Sequence, residues 1–136
     1  MAYVIGTEEE RKKFLGSLEI GDLVSLLGVP YKWEAEDFEN EYGEDLQPLP
    51  LLASTMWDNG FVFDITGSSM MRRTYKNGIL VEWNPKTRSI LYKQENFKGG
   101  IRVVDTVDRL QRFLRLIGLV KEANELKYHD HSKHTS

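Results

Sequence analysis

Asn77-Gly78 stands between two strand-like runs, Arg72 to Lys76 and Ile79 to Trp83, and limits the fold more than any other part of the chain. An Asn-Gly pair supplies the positive φ values of a two-residue type I′ turn, so the flanking runs are expected to pair antiparallel. That register sets Lys76 opposite Ile79, Tyr75 opposite Leu80, Thr74 opposite Val81 and Arg73 opposite Glu82. The last pairing joins opposite charges across the ladder. Ile79, Val81 and Trp83 then share the core face. Upstream, the Asp58-Asn59-Gly60 turn leads into the alternating run Phe61 to Ile65, with Phe61, Phe63 and Ile65 on one face. Downstream, Asn84-Pro85-Lys86-Thr87 turns the chain again, Ser89 to Lys93 returns, and Ile101 to Val104 follows a Gly99-Gly100 break. The expected sheet is an antiparallel meander of four to five strands.

Helical signals flank this meander and make the fold class α+β. Thr7-Glu8-Glu9-Glu10 fits a capping box, and Phe14, Leu15 and Leu18 form an apolar stripe behind it. Asp22 is placed to cap a second short helix, Leu23 to Leu27, ended by Gly28 and Pro30. Near the C-terminus, Asp105 or Thr106 caps a helix whose Val107, Leu110, Phe113, Leu114, Leu116, Ile117 and Val120 cover one side. Asp108, Gln111, Arg112 and Arg115 occupy the other side. Such a wide apolar face is expected to pack on one face of the sheet, with Gly118 ending the helix and a further short one following. The expected organisation is one domain over residues 1–128, with an internal boundary near 47–51 where Gln47-Pro48-Leu49-Pro50 reads as extended linker. Residues 129–136 read as a disordered, histidine-containing tail.

Charge is divided unevenly along the 136 residues. Residues 1–66 hold four basic and fourteen acidic side chains, a balance of −10, and residues 67–136 hold fourteen basic and seven acidic, a balance of +7, which together give the net −3. Glu34 to Asp45 is acidic at seven of twelve positions and has aromatic residues interleaved. Trp33, Glu34, Glu36, Asp37, Phe38, Glu39, Glu41 and Tyr42 are therefore the candidate surface for a basic protein partner, with charge speeding association and the aromatics acting as anchors. A second candidate surface is basic: Arg72, Arg73 and Lys76 on the hairpin, Lys86 and Arg88 at the next turn, and Arg109, Arg112 and Arg115 on the C-terminal helix. It would suit nucleic acid, with Tyr75 and Tyr92 available for stacking. The sequence pI of about 5.6 speaks against that use.

The chain lacks the residues of several chemistries. It has no cysteine, so disulfides, thiolate metal sites and thiol nucleophiles are excluded, and the expected compartment is the cytosol. All three histidines (His129, His131 and His134) fall in the terminal tail, which leaves the expected fold without the usual general base. The spacing of that tail suits incidental metal affinity only. Carboxylates at or beside strands (Asp58, Asp64 and Glu82) are the candidates for a metal-dependent enzyme, the third-ranked reading. No phosphate-binding loop, dinucleotide fingerprint or EF-hand loop is present. No apolar run approaches the roughly 20 residues of a membrane span. The leading expectation is a small, non-enzymatic accessory protein without cofactor, compositionally akin to those of phages and mobile elements, that engages a protein partner.

Overall fold

Residues 5–40, 42–64 and 69–128 are described by a computed structural model. The elements in chain order are α1 (Glu8–Ser17), β1 (Leu23–Leu26), β2 (Val29–Lys32), β3 (Leu46–Pro48), α2 (Ala53–Asp58), β4 (Val62–Phe63), β5 (Met71–Thr74), β6 (Leu80–Trp83), β7 (Ser89–Gln94), β8 (Phe97–Val103), α3 (Val107–Leu116) and α4 (Val120–Asn124). Short 3-10 turns cover Ala35–Glu39, Gly43–Asp45 and Lys76–Gly78. The fold is α+β, with antiparallel sheets of three and five strands and a C-terminal helix. Two compact units divide the chain. The first takes residues up to Pro50 and Thr106–Leu126, and the second takes Leu51–Asp105 with the residues just after Leu126.

In the first unit, α1 opens with the expected capping box: the Glu10 amide donates to Thr7 Oγ1 at 3.1 Å, and the Thr7 amide donates to Glu10 Oε1 at 3.1 Å. The segment expected as a second helix is instead strand β1, paired with both β2 and β3 in the order β2-β1-β3. Leu26 lies opposite Val29, so only Leu27 and Gly28 form the loop, with φ of 54° and 79°. Both central residues adopt the positive φ that a type I′ turn requires. Leu27 accepts this unfavoured conformation while its side chain stays 71% exposed. Ile5, Phe14, Leu18, Val24, Trp33 and Leu46 form a buried cluster.

Helix α3 packs against β1 through polar contacts as well as apolar ones. Val107, Leu110, Phe113 and Leu114 are buried as the periodicity requires, whereas Leu116 is exposed. Gln111, on the side expected to face water, is fully buried. Its Nε2 donates to the Gly21 carbonyl at 2.9 Å and the Ala123 carbonyl at 3.1 Å, and its Oε1 accepts from the Leu23 amide at 2.7 Å. One side chain therefore bonds three backbone groups on two separate stretches of chain. Beside it, buried Asp22 accepts from the Glu19 amide at 2.9 Å, Arg115 Nη1 at 2.5 Å and Arg112 Nη1 at 3.1 Å. Burial pushes its carboxyl above the ordinary value, against the pull of the Glu19 amide and the two guanidinium groups. Gly118, at φ 92°, closes α3 with paired bonds: its amide donates to the Arg115 carbonyl and the Leu119 amide to the Leu114 carbonyl.

The second unit holds the meander β4-β5-β6-β7-β8. Its central hairpin departs from the expected register by one residue. The Tyr75 amide donates to the Ile79 carbonyl at 2.6 Å around a three-residue loop, which sets Thr74 opposite Leu80, Arg73 opposite Val81 and Arg72 opposite Glu82. Thus Arg72, not Arg73, is the cross-strand partner of Glu82. Ile79, Val81 and Trp83 are buried as expected, and Met71 and Ile90 lie opposite Trp83 on the same face. On the other face Arg72 Nη2 bonds Glu82 Oε2 at 2.8 Å and Asp64 Oδ2 at 2.7 Å, while Lys93 Nζ reaches Glu82 Oε1 at 3.0 Å. Trp83 Nε1 donates to the Val104 carbonyl at 2.9 Å.

Gln111→Leu keeps side-chain volume and removes all three of its hydrogen bonds. Leaving several buried backbone groups unpaired is expected to cost about 3 kcal/mol. Urea unfolding monitored by tryptophan fluorescence checks this; a loss below about 1 kcal/mol would show that the amide is not structural.

Candidate interaction site at the Trp33–Tyr42 segment

The segment after β2 is anchored at its first residue. The Trp33 amide donates to the Asp22 carbonyl and the Gly21 amide to the Trp33 carbonyl, each at 2.8 Å. Trp33 is buried, with Phe38 edge-on at 5.6 Å between ring centroids and Tyr42 at 5.7 Å. Both distances lie in the favourable range for edge-to-face rings. The run Ala35–Glu39 is a 3-10 turn, because one carboxylate gathers it. Asp37, only 4% exposed, accepts from Tyr31 Oη at 2.7 Å and 2.8 Å, from Tyr42 Oη at 2.5 Å and from the Glu34 amide at 2.8 Å. Three residues on separate stretches of chain thus converge on one side chain.

These bonds move the titrations of all three groups. Burial pulls Asp37 upward, but the phenol bonds from Tyr42 and Tyr31 and the Glu34 amide prevail and hold it below the ordinary carboxylate value. The phenol of Tyr31 is pushed up to about 12, first by its bond to Asp37, and that of Tyr42 is raised for the same leading reason. Asp37 is consequently committed as an acceptor and is no free base. Around it the expected surface residues separate into two roles. Trp33 and Asp37 are inside, and Tyr42 is half-buried. Glu34, Glu36 and Glu39 are exposed, and Phe38 is 52% exposed among them. Glu41 lies outside the described residues.

The basic residues are spread over both units. In the second, Arg72 is paired as above, Arg73 donates to the Asn59 carbonyl at 2.6 Å and lies 4.3 Å from the Tyr75 ring centroid, and Arg88 donates to the Leu51 carbonyl. Lys76 and Lys86 are exposed, but Tyr75 is buried, so it presents no stacking surface. In the first, Arg109 is exposed, whereas Arg112 and Arg115 are bound to Asp22, with Arg112 also on Asp108 at 2.8 Å and Arg115 on Glu19 at 2.9 Å. Of the carboxylates considered for metal chemistry, Asp64 and Glu82 meet at a single guanidinium, and Asp58 ends α2. Among the described residues no group of three or more histidine or acidic side chains is arranged to hold a metal ion. The histidines lie outside the described residues. No described helix is long and apolar enough to cross a membrane.

No protein-family model, curated protein or solved structure matches the chain. Its function therefore has to be argued from the site itself.

Because the folded Tyr31 value is raised, its contribution to stability is complete below about 10, the ordinary phenol value, and fades as pH rises through about 12. Asp37 has the opposite sign: its contribution is present above the ordinary carboxylate value and is lost as pH falls through the lowered one. Asp37→Asn is expected to bring the Tyr31 ring titration, followed by NMR, down from about 12 toward about 10. An unchanged midpoint would disprove the coupling.

Proposed function

We propose that the 34–42 segment is the docking surface of a small, cytosolic, non-enzymatic accessory protein whose partner is a basic protein. The observation that carries this reading is Phe38, half-exposed on a turn that Asp37 and Trp33 hold in place. A preordered aromatic side chain loses little conformational freedom on being covered, which is what an interface anchor needs. Exposed Glu34, Glu36 and Glu39 surround the anchor with one sign of charge and favour encounter with a cationic surface. Nucleic acid fits less well, because Arg112 and Arg115 already serve buried carboxylates.

The test is affinity capture from the cells of origin, followed by kinetics on the recovered protein. Phe38→Ala is expected to weaken binding by about 2 kcal/mol, roughly 30-fold, chiefly through faster dissociation. Neutralising Glu34, Glu36 and Glu39 to Gln is expected to slow association and flatten its salt dependence. Equal recovery by all variants would overturn the reading. So would tight, salt-steep binding of DNA or RNA that Arg109→Glu abolishes.

A further inference from the structure

The β1–β2 hairpin turns on a leucine where its geometry favours glycine or asparagine. Leu27 holds φ at 54° with 71% of its surface exposed. A branched apolar side chain takes this left-handed region at a cost in backbone energy, and here it gains little burial in return. The other described non-glycine residues with positive φ (Asn77, Arg88 and Glu95) are polar. A strained residue that serves no packing role points to use by something outside the fold. Val29, opposite Leu26 at the other side of the same loop, is 50% exposed.

The register carries these two residues to the 34–42 segment. The Trp33 amide bonds across to the Asp22 carbonyl and so continues the β1–β2 ladder, which puts Val29, Tyr31 and Trp33 on one face. Tyr31 and Trp33 are the residues that hold Asp37 and Phe38. Val29 and Phe38 therefore border the same face, along a stretch of about 13 Å from Val29 to Trp33, with Leu27 at its end. Carboxylates flank it at both ends. Exposed Glu34, Glu36 and Glu39 lie around Phe38, and the carbonyl of exposed Asp45 accepts the Leu27 amide at 2.8 Å. Lys32 belongs to the opposite face, where its Nζ reaches the Asn124 carbonyl.

The backbone of this edge selects the form of the partner. β2 is the outer strand of the order β2-β1-β3. Because Trp33 bonds inward, alternation makes Val29 and Tyr31 inward-bonding and turns Pro30 and Lys32 outward. Proline has no N–H, so an added strand meets a single outward donor, that of Lys32. Recognition here has to run through side chains. We infer that an amphipathic helix with a basic polar face lies along this edge, its apolar side chains covering Leu27, Val29 and Phe38. Residues at i, i+4 and i+7 of a helix span about 11 Å, which matches the stretch. The helix's lysines and arginines meet the flanking carboxylates, which repel anionic lipid and nucleic acid. This inference rests on the reading of 34–42 as a docking surface and specifies the shape of what docks.

The full chain, with its amides assigned by NMR, is titrated with three leucine-rich peptides of about 18 residues, or five helical turns. One has leucine at helical spacing and lysine elsewhere, the second strictly alternates the same residues, and the third replaces lysine with glutamate in the helical pattern. The helical lysine peptide is expected to shift Leu27, Val29 and Phe38 saturably and to bind at least about tenfold more tightly than the other two. Leu27→Asn relieves the backbone, so its melting temperature is expected to hold or rise while affinity falls about fivefold. Val29→Thr keeps the branched shape and is expected to weaken binding similarly. If Phe38→Ala weakens the peptide and neither hairpin variant does, the helix along β2 is overturned and the 34–42 docking surface stands. If the alternating peptide binds as tightly, the helical form is overturned on its own. If no peptide saturates, or if the same amides shift with protein concentration alone, the inference also fails, the second case assigning the edge to another copy of the chain.

Discussion

The first unit depends on a buried polar knot in which Asp22 and Gln111 meet the start of β1. Gln111 holds α3 and α4 to Gly21 and Leu23, and Asp22 draws in Arg112 and Arg115. Removing one partner of such a buried arrangement leaves the others without compensation, so it enforces a single way of packing more than it adds net stability. The same residue extends the knot outward, since the Asp22 carbonyl receives the Trp33 amide. Trp33 in turn seats Phe38 and Tyr42. The aromatic anchor on the surface is therefore tied to the buried knot through the Asp22 backbone.

This knot also explains much of the uneven charge along the chain. Arg112 and Arg115 come from the basic half and neutralise Asp22 and Glu19 from the acidic half. Arg72 does the same for Asp64 within the meander. An imbalance that looks like two opposed patches in the sequence is in these places the record of long-range pairing. Glu34, Glu36 and Glu39 stay exposed around Phe38, as do Glu8, Glu9, Asp45, Glu95 and Glu125 elsewhere on the chain.

Features set by near neighbours were legible in the sequence, and those set by distant ones were not. The Thr7–Glu10 capping box, the Gly118 terminus of α3 and the alternation of Ile79, Val81 and Trp83 each depend on a few adjacent residues. Leu27-Gly28 misled because leucine seldom takes positive φ, so the type I′ turn carried helix-ending chemistry instead. At Asn77-Gly78 the turn was read but its length was not, and one extra loop residue exchanged Arg73 for Arg72 opposite Glu82. Gln111 looked like a solvent-facing residue because its three partners lie outside its own helix. Within the candidate site, acidity and aromaticity singled out the right stretch. Nothing local distinguished Asp37 from its exposed glutamates, because its role depends on Tyr31 and Tyr42 on either side of the turn.

The first unit is interrupted in the chain by the second. During synthesis, β1, β2 and β3 are complete while the residues that satisfy the Gly21 carbonyl and the Leu23 amide are still untranslated. Asp22 likewise waits for both of its arginines until the whole meander has emerged. The N-terminal third of the chain thus has to persist, with an unmatched carboxylate, until α3 arrives. A nascent chain halted before Thr106 holds the acidic segment without the helix whose glutamine and arginines complete the knot.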